Sequence, residues 1–426
     1  MDQLYTNSDL IGYYYGIDGC LYPAPPIQSR VFYPMPVPVM PVGPRSWQGV
    51  AMPLARHAVT LPRPASGPMR LTSQADSYPF VPVVGGGIVM YPYHAWIGGR
   101  FLVNRTAPML GISNLSILLS AQDVTTGREV ALKVNRHPRH SDSILHEGDV
   151  MRDIQSSEII SMCFIPQYLG HFELGPDDEI SDQYLPYAGE CNKHSCLVME
   201  KMGADLHDHR QSIMRDFTFK EIQTFARDML NALTILERHG VIHGDFKLEN
   251  LLLTADSQHV KLCDFGLADR PPYHKHLIQS TPYRSPEVLL GMARSTKIDI
   301  WSFGCTVFEL WGGSRLFNSK NDFDLMTEMV DMLGVPSRRV LNGCDGALRE
   351  RYFHKFPNGS YSFVKPLHRN PLESRIDSIF ATRVLKASPT TEAITEVLRA
   401  ALVVDPSQRL SASQILELPF FRMSFV

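Results

Sequence analysis

The first 128 residues contain neither lysine nor glutamate; the first of each are Glu129 and Lys133. Over all 426 residues, 41 lysines and arginines nearly balance 44 aspartates and glutamates, which gives a net charge of -3. A chain without surplus positive charge has no electrostatic reason to bind nucleic acid or an anionic membrane surface. We therefore expect no nucleic acid and no membrane among its partners.

The sequence also lacks long hydrophobic runs and paired cysteines. No segment approaches the roughly 18 consecutive apolar residues of a transmembrane helix, and the N-terminal MDQLYTNSDL has no basic and apolar regions of a signal peptide. The seven cysteines form no C-x-x-C pair, which argues against a disulfide framework or a zinc site. These absences predict a protein of the cytoplasm, the nucleus or both.

Proline and tyrosine are concentrated in the first 100 residues, which hold 15 of the 31 prolines and 9 of the 16 tyrosines. Spaced prolines such as those of PVPVMPVGPR disfavour helix and favour an extended polyproline conformation, and the apolar residues around them show no sustained period. We predict that residues 1–98 form a disordered Pro/Tyr/Met-rich tail. Two interpretations stay open: a docking segment for a proline-binding module, or an extension without a partner.

After residue 98 the pattern changes to that of a folded protein. Apolar and β-branched runs with a Thr-Gly turn come first, and longer helical periods such as FKEIQTFARDMLNALTILERHG follow. The apolar run CLVME ends near Met202, where the strand-rich part gives way to the helix-rich part. The sequence thus predicts an N-terminal lobe over residues 99–202 and a C-terminal lobe over residues 203–426.

Two short motifs carry residue types suited to phosphate chemistry. In EVALKV, Lys133 projects from a strand, where its ammonium group could neutralise phosphate oxygens, although a lone lysine of this kind is usually just solvated. In VIHGDFKLENLLL, Asp245, Lys247 and Asn250 lie between apolar segments. Phosphoryl transfer needs a carboxylate to accept the proton of the attacking hydroxyl, a cation beside the phosphoryl group and an oxygen ligand for Mg²⁺. These three residues supply all of them.

Two further motifs follow in the C-terminal half. VKLCDFGLAD places Asp264 at the end of a short strand as a second candidate Mg²⁺ ligand, although an Asp-Phe-Gly turn is common by itself. SPEVLLG, DIWSFGC and DPSQRL contain Glu287, Asp299 and Arg409. We expect a buried ion pair between Glu287 and Arg409 and backbone N–H bonds from the VIHGD loop to Asp299.

Together these motifs resemble the signature of the eukaryotic protein kinases, over roughly residues 101–421. Within that family, IQSTPYRSPEVLLG, IDIWSFGC, MLGVPSRRVL and the insert at about 335–370 are similar to the CMGC group, closest to its DYRK-like, CLK-like and SR-protein-kinase branches. The resemblance implies a two-lobed α+β kinase fold: an N-terminal antiparallel sheet with helix C, a helical C-terminal lobe, and an ATP cleft between them. It implies a Ser/Thr protein kinase that uses ATP and Mg²⁺ and acts on proteins with Ser or Thr acceptors. We expect a monomer.

The resemblance also assigns roles to single residues. Lys133 would be the strand-three lysine and Glu147 its partner on helix C, with a solvated helix acid as the alternative for Glu147. The catalytic base would be Asp245, with Lys247 on the phosphate, Asn250 and Asp264 as metal ligands, and Ser280 hydrogen-bonded to Asp245 and Lys247. The nucleotide would contact residues of the glycine-rich loop, the sheet, the hinge and the C-terminal lobe, namely Gly111, Ser113, Ser116, Leu118, Ala131, Lys133, Glu200, Met202, Asp205 and Leu252.

Two features depart from the kinase pattern. The loop PMLGISNLSILL keeps Gly111 but has Ser113 and Ser116 where the family has glycines, which puts nucleotide turnover in question. Gly244 replaces the arginine that normally precedes the catalytic aspartate, so we expect an activation loop that is ordered without phosphate, unless a distant arginine such as Arg294 takes over. A pseudokinase scaffold and a non-enzymatic protein that acts through its tail therefore remain as alternatives.

Overall fold

The computed structural model describes residues 96–104, 109–137, 140–174, 194–272, 278–368, 370–376 and 388–425, and the backbone of four short strands nearer the N-terminus. These strands form two antiparallel ladders, β1 (Tyr13–Tyr15) with β2 (Leu21–Pro23) and β3 (Phe80–Pro82) with β4 (Ile88–Met90). The rest of residues 1–95 lies outside the described residues. The predicted disorder of the tail and both interpretations of its proline-rich segment therefore stay predictions.

An antiparallel sheet forms the N-terminal lobe. Its described strands are β5 (Trp96–Ile97), β6 (Phe101–Val103), β7 (Met109–Ile112), β8 (Ser116–Asp123), β9 (Glu129–Asn135), β10 (Tyr168–Glu173) and β11 (Ser195–Glu200). Their order is β10-β11-β9-β8-β6-β5, and β7 also pairs with β8. Because side chains alternate along a strand, one face of β8 and β9 buries Ile117, Leu119, Leu132 and Val134, and the other face is free to line a cleft.

The turn between β8 and β9 fixes the register of these two strands. Gly127 adopts a φ of +71° there, as a Thr-Gly turn requires. The carboxylate of Asp123 accepts the N–H of Thr125 at 3.0 Å and the hydroxyl of Thr126 at 2.7 Å, which ties the turn to the end of β8. The resulting register places Lys133 directly opposite Leu118.

One long helix, α1 (Ser141–Ser157), packs against the sheet close to β10. A Cβ atom at Gly148 would lie only 2.5 Å from Nδ1 of the buried His171, so glycine is what allows the helix to approach this strand. Glu147, next to Gly148, is thereby brought within reach of the sheet.

The C-terminal lobe is mainly helical. Its described helices are α2 (Leu206–Ser212), α3 (Phe219–Arg238), α4 (Pro286–Leu289), α5 (Lys297–Gly312), α6 (Asp322–Leu333), α7 (Arg338–Asn342), α8 (Gly346–Tyr352), α9 (Pro389–Ala401) and α10 (Ala412–Leu416), with the hairpins β12 (Leu251–Leu253)/β13 (Val260–Leu262) and β14 (Phe353–Lys355)/β15 (Tyr361–Phe363). Helix α3 begins at a capping box formed by Thr218 and Glu221. Helix α5 is buried from Ile298 to Trp311, its polar side chains included. Within the described residues, no helix has the length and hydropathy of a membrane span.

The predicted ion pair between Glu287 and Arg409 is confirmed. Nη1 of Arg409 donates a hydrogen bond to Oε1 of Glu287 at 2.7 Å, and Nη2 donates to Oε2 at 3.0 Å. The side chain of Arg409 is 0% exposed and that of Glu287 is 1% exposed. The guanidinium also donates to the carbonyl oxygens of Val403 and Lys297. The pair therefore joins α4, the start of α5 and the segment after α9.

Two domain boundaries can be compared with the sequence prediction. The sheet begins at Trp96 rather than at residue 99, because Gly98 and Gly99, with φ of +63° and +62°, form the turn of the β5–β6 hairpin instead of ending the tail. Ile97 is buried in the core of the sheet. The predicted boundary between the lobes, after Met202, falls in the connection between β11 and α2. In the insert at about 335–370, the described residues form α7, α8 and the β14–β15 hairpin.

Removing residues 1–94 should leave the folded domain and its activity intact. The sheet starts at Trp96, so a chain of residues 95–426 keeps every described strand of that sheet, and we expect its Tm to lie within about 2 °C of that of the whole chain. A chain of residues 99–426 is the matched comparison. It also loses the buried Ile97 and should be less stable by about 2 kcal/mol. Thermal unfolding measures both, and a loss of solubility or rate in the 95–426 chain would mean that the tail packs on the lobes.

Candidate active site

Lys133 forms a cluster of three charged side chains with Glu147 and Asp264, which joins the two lobes. Its Nζ atom lies 2.6 Å from Oε2 of Glu147 on α1 and 2.7 Å from Oδ1 of Asp264, which follows β13. Glu147 is 1% exposed, and its other carboxylate oxygen accepts the N–H of Phe265 at 3.2 Å. The alternative interpretation of Glu147 as a solvated helix acid is therefore wrong.

The same three residues set one another's charge. The ammonium group of Lys133 lowers the pKa of Asp264 to about 2. Burial lowers the pKa of Lys133, but attraction to Asp264 and Glu147 outweighs it and raises that pKa well above its usual value. At neutral pH Asp264 is thus ionised and Lys133 is protonated, which are the forms that bind a metal ion and a phosphate.

Phe265 holds Asp264 at the cleft. Its buried ring meets the ring of His243 edge to face, with centroids 5.1 Å apart. Asp264 itself has a left-handed backbone, with φ of +67°. With the phenyl ring in the core, the Asp264 carboxylate faces Lys133 and is 44% exposed.

The carboxylate of Asp245 lies between a cation and a hydroxyl group. Lys247 Nζ donates to Oδ2 at 2.6 Å, and Ser280 Oγ donates to Oδ1 at 2.7 Å. Lys247 Nζ also lies 3.2 Å from Ser280 Oγ. The predicted hydrogen bonds of Ser280 to Asp245 and Lys247 are confirmed.

The backbone before Asp245 is anchored to Asp299 in the first turn of α5. The carboxylate of Asp299 accepts the N–H groups of His243 at 2.7 Å and of Gly244 at 3.0 Å, as the sequence predicted. Burial raises the pKa of Asp299 to about 7, against the effect of these two N–H groups. His243 adds a second anchor, because Nε2 donates to the carbonyl oxygen of Cys263 and Nδ1 accepts the N–H of Asp245.

Gly244 occupies a position that suits glycine. Its φ is +78°, and an added Cβ atom would lie 2.9 Å from the carbonyl oxygen of Leu267. A side chain here would therefore carry backbone strain and press on Leu267. This crowding is a physical reason for glycine at this place, independent of any role in binding a phosphate.

The activation segment is described up to residue 272 and again from residue 278. In its second part the guanidinium of Arg284 donates to the carbonyl oxygens of Ile278 and Gln279 and pairs with Asp322. Gln279 has a left-handed backbone, with φ of +66°, and its side chain accepts the N–H of Ser285 at 3.0 Å. These contacts join the second part of the segment to α4 and α6; residues 273–277 lie outside the described residues.

Asp264 and Asn250 are oxygen ligands suited to Mg²⁺. The Asn250 amide nitrogen donates to the backbone oxygen of Asp245 at 2.7 Å, so the amide oxygen is directed away from that bond. Among the described residues, no group of three or more His, Cys, Asp and Glu side chains could hold a metal ion. A Mg²⁺ ion here would need phosphate oxygens and water to complete its coordination, which is how proteins usually bind this ion.

Three apolar side chains were predicted to surround the nucleotide. On β9, Ala131 lies two residues before Lys133 and hence on the same face, and Leu118 lies opposite Lys133 on β8. From the C-terminal lobe comes Leu252 of β12, which forms an isolated bridge with Asp205. The assignment of these residues to an adenine pocket stays a prediction.

Asp205 ends the connection between β11 and α2. The carboxylate of Asp205 accepts the N–H of Asp208 at 2.8 Å and caps α2, and burial raises the pKa of Asp205. The side chain of Glu200 accepts a hydrogen bond from Lys261 Nζ at 2.7 Å, and the N–H of Glu200 donates to the carbonyl oxygen of Gln167 at 2.9 Å. Met202 follows in the connection between β11 and α2, ahead of a hydrogen bond from the N–H of Gly203 to Leu253.

The glycine-rich loop joins β7 and β8. Gly111 pairs with Leu118 in the ladder, and a Cβ atom at Gly111 would have no atom within 4 Å. Ser113 and Ser116 lie at the turn, where the N–H of Ser113 donates to the carbonyl oxygen of Ser116 at 2.8 Å. The loop therefore closes as a hairpin without the two missing glycines.

Sequence reasoning missed Arg136, the residue after β9. Its guanidinium donates to the carbonyl oxygen of Ser113 at 2.9 Å, and its N–H donates to the carbonyl oxygen of Leu115 at 2.8 Å. These contacts depend on the register of β8 and β9, and the local sequence around Arg136 carries no signal for them. The left-handed backbone of Gln279 was missed for a similar reason. Its side-chain amide donates to the carbonyl oxygen of Ile298 and the hydroxyl group of Ser302, both on α5 and about 20 residues later in the sequence.

The two lobes, with an ion-paired lysine above and a hydrogen-bonded aspartate below the cleft, define a protein kinase. The sequence profile of the family described as protein kinase domain matches residues 105–421, and the chain belongs to that family. The predicted two-lobed kinase fold is confirmed.

Individual relatives match the chain over about three quarters of its length or more. Cell division control protein 2 homolog 1 of Trypanosoma brucei brucei is 30% identical over 325 residues, which are 74% of this chain and 97% of the relative. Stress-activated protein kinase jnk-1 of Caenorhabditis elegans is 28% identical over 369 residues, 80% of this chain and 72% of the relative. Dual specificity protein kinase lkh1 of Schizosaccharomyces pombe is 26% identical over 351 residues, 76% of this chain and 47% of the relative, so the chain spans about half of lkh1. These relatives are kinases of the CMGC group.

Proposed function

We propose that the protein is an active Ser/Thr protein kinase that transfers the γ-phosphoryl group of ATP to hydroxyl groups of proteins. The observation that carries this proposal is the joint presence of two arrangements: Lys133 paired with Glu147 and Asp264, and Asp245 bonded to Lys247 and Ser280. Positioning and electrostatics of this kind account for most of the catalysis of phosphoryl transfer, since the enzyme forms no covalent intermediate.

In the proposed reaction the hydroxyl oxygen of the substrate attacks the γ-phosphorus while the bond to the ADP oxygen breaks, and ADP leaves. Asp245 accepts the proton of the hydroxyl group, and Lys247, 2.6 Å away, balances the charge beside it. Lys133 neutralises phosphate oxygens from the other lobe. Mg²⁺, when bound, supplies further positive charge to the phosphates, and Asp264 and Asn250 would hold it.

The nucleotide fits the remaining residues of the cleft. We assign Leu118 and Ala131 to one side of the adenine ring and Leu252 to the other, with the backbone of Glu200 and Met202 at its edge. We assign Asp205 to a ribose hydroxyl. Gly111, Ser113 and Ser116 would cover the phosphates.

A pseudokinase scaffold is the second candidate, and one observation favours it. The hydroxyl group of Ser113 already bonds to two N–H groups of the loop that should cover the phosphates. The test is transfer of label from γ-labelled ATP to a mixed protein substrate, with and without Mg²⁺. Label that appears only with Mg²⁺ supports the kinase. If no label is transferred but ATP stabilises the protein in thermal unfolding, the scaffold is supported. If ATP gives neither label nor stabilisation, an interaction protein that binds no nucleotide is supported.

Four further proposals concern the branch of the kinase family, the oligomeric state, the location in the cell and the binding partner of the tail. The motifs of the activation segment and the insert support a place near the DYRK-like, CLK-like and SR-protein-kinase branches. We propose a monomer that acts in the cytoplasm, the nucleus or both. The spaced prolines of the tail support a proline-binding module as its partner.

The proposed kinase should phosphorylate serine and threonine. A lysine two residues after the catalytic aspartate, bonded to a hydroxyl group such as that of Ser280, is the arrangement of Ser/Thr kinases. We expect more than about nine tenths of the label in phosphoserine and phosphothreonine, measured by mass spectrometry of substrate proteins. Because the relative lkh1 is described as a dual specificity kinase, tyrosine is the alternative. A majority of phosphotyrosine would contradict the prediction.

Activity should not depend on a phosphate in the activation segment. Gly244 offers no guanidinium to bind one, and Arg284 is already engaged by Ile278, Gln279 and Asp322. Treatment with a phosphatase, checked by intact mass, should change the rate less than about twofold relative to a sample with inactivated phosphatase. A fall of tenfold or more, about 1.4 kcal/mol in the barrier, would show that a phosphate orders the loop.

A further inference from the structure

The tip of the glycine-rich loop is closed by a side chain. The chain turns over Ser113, Asn114, Leu115 and Ser116 between β7 and β8. The hydroxyl oxygen of Ser113 accepts the N–H of Leu115 at 3.2 Å and the N–H of Ser116 at 3.0 Å. Two consecutive backbone donors of the loop are therefore bonded to one serine of the same loop.

Arg136 holds the same turn from the end of β9. Its N–H donates to the carbonyl oxygen of Leu115 at 2.8 Å, and its Nη1 donates to the carbonyl oxygen of Ser113 at 2.9 Å. The carbonyl groups on both sides of the tip are thus fixed. This leaves the Ser113 hydroxyl group in place beside the two N–H groups.

These N–H groups are two of the donors that the loop would offer to a nucleotide. In protein kinases the glycine-rich loop covers the phosphates of ATP, and consecutive backbone N–H groups are natural donors to phosphate oxygens. A glycine at position 113 would bring no competing acceptor. Here the Ser113 hydroxyl occupies the donors of Leu115 and Ser116 before a nucleotide arrives.

We propose that Ser113 is a positioning residue that limits the affinity for ATP, because its hydroxyl group competes with the phosphates for two N–H groups of the loop. The inference rests on the proposed function, in which ATP is the substrate. Removing the hydroxyl group raises the free energy of the empty loop, whose donors lose their acceptor. Removing the hydroxyl group leaves the free energy of the ATP-bound loop unchanged, because there the two N–H groups bond to phosphate. The free energy of binding therefore becomes more favourable, and ATP binds more tightly. Adenosine has no phosphate and is unaffected.

The test uses the full chain, with isothermal titration of ATP plus Mg²⁺ and, separately, of adenosine. We expect Ser113→Ala to lower the Kd for ATP about tenfold, equivalent to about 1.4 kcal/mol, with the Kd for adenosine unchanged within about twofold. Ser113→Thr keeps a hydroxyl group and should behave as the unchanged protein. Ser156→Ala is the surface control, since Ser156 is exposed at the end of α1 and its hydroxyl group donates to the carbonyl oxygen of Asp153.

A second readout needs no nucleotide. Amide hydrogen exchange at Leu115 and Ser116 should be faster in Ser113→Ala than in the unchanged protein, and unaltered in Ser113→Thr. Equal exchange in all proteins would overturn the inference.

The binding outcomes separate this inference from the proposed function. Tighter ATP binding in Ser113→Ala alone supports it, including the case in which only that variant binds ATP. Unchanged or weaker ATP binding in Ser113→Ala, with ATP bound by the unchanged protein, overturns the inference and leaves the kinase function standing. Failure of every variant to bind ATP overturns both.

Discussion

Replacing Asp245 by asparagine should lower the rate of phosphoryl transfer by about 10²- to 10⁴-fold, the usual contribution of a general base. An amide has nearly the same shape as the carboxylate, so the hydrogen bonds from Lys247 and Ser280 can persist in part. It cannot accept the proton of the attacking hydroxyl group. Because the amide keeps the shape of the carboxylate, the Kd for ATP should change less than about threefold.

Single-turnover transfer of label from ATP and isothermal titration of ATP together measure this pair of effects. Asp256→Asn is the matched control, since Asp256 lies exposed in the turn between β12 and β13 and its carboxylate bonds only to neighbouring groups of that turn among the described residues. The control should retain the full rate. Transfer by Asp245→Asn at the rate of the unchanged protein would remove Asp245 from the mechanism and favour the scaffold.

Replacing Glu287 by alanine should lower the free energy of unfolding by about 3–5 kcal/mol, because it leaves a buried charge without its partner. Arg409 is 0% exposed, and its guanidinium stacks 5.3 Å from the centroid of Trp301, so neither water nor another acid can replace the lost carboxylate without rearrangement. Urea unfolding measures the change.

An exposed ion pair provides the control for this prediction. Glu392 lies 3.0 Å from Arg399 on the surface of α9, with side chains 73% and 46% exposed. Glu392→Ala should cost less than about 1 kcal/mol, since water screens and solvates both charges. Equal losses in the two variants would mean that burial does not set the strength of the Glu287–Arg409 pair.

The fold could be predicted where short-range sequence patterns determine it. The apolar run of α5, the capping residues of α3 and the Thr-Gly turn after β8 each specify their own element. The start of the domain could not be located, because Gly98-Gly99 carries the same signal whether it ends a tail or turns a hairpin. Only the burial of Ile97, a tertiary contact, distinguishes the two.

The candidate site divides in a similar way. Lys133, Asp245 and Asp264 are each recognisable from motifs whose residue types match one chemical task. The replacement of glycine by Ser113 could be seen in the sequence. The hydrogen bonds of its hydroxyl group could not, because the sequence does not show in which direction that group points. Arg136 could be assigned to the loop only after strand register was known.

The anchoring of His243 and Gly244 to Asp299 links the catalytic loop to the cooperative folding of the whole large lobe. Helix α5 carries Asp299 and is buried along nearly its full length, so this carboxylate moves only when the lobe itself opens. As long as its hydrogen bonds to Asp299 persist, the backbone just before Asp245 cannot unfold locally while α5 stays folded. We therefore expect substitutions that displace Asp299 to change the rate of the proposed transfer through this loop, and heat inactivation to coincide with global unfolding.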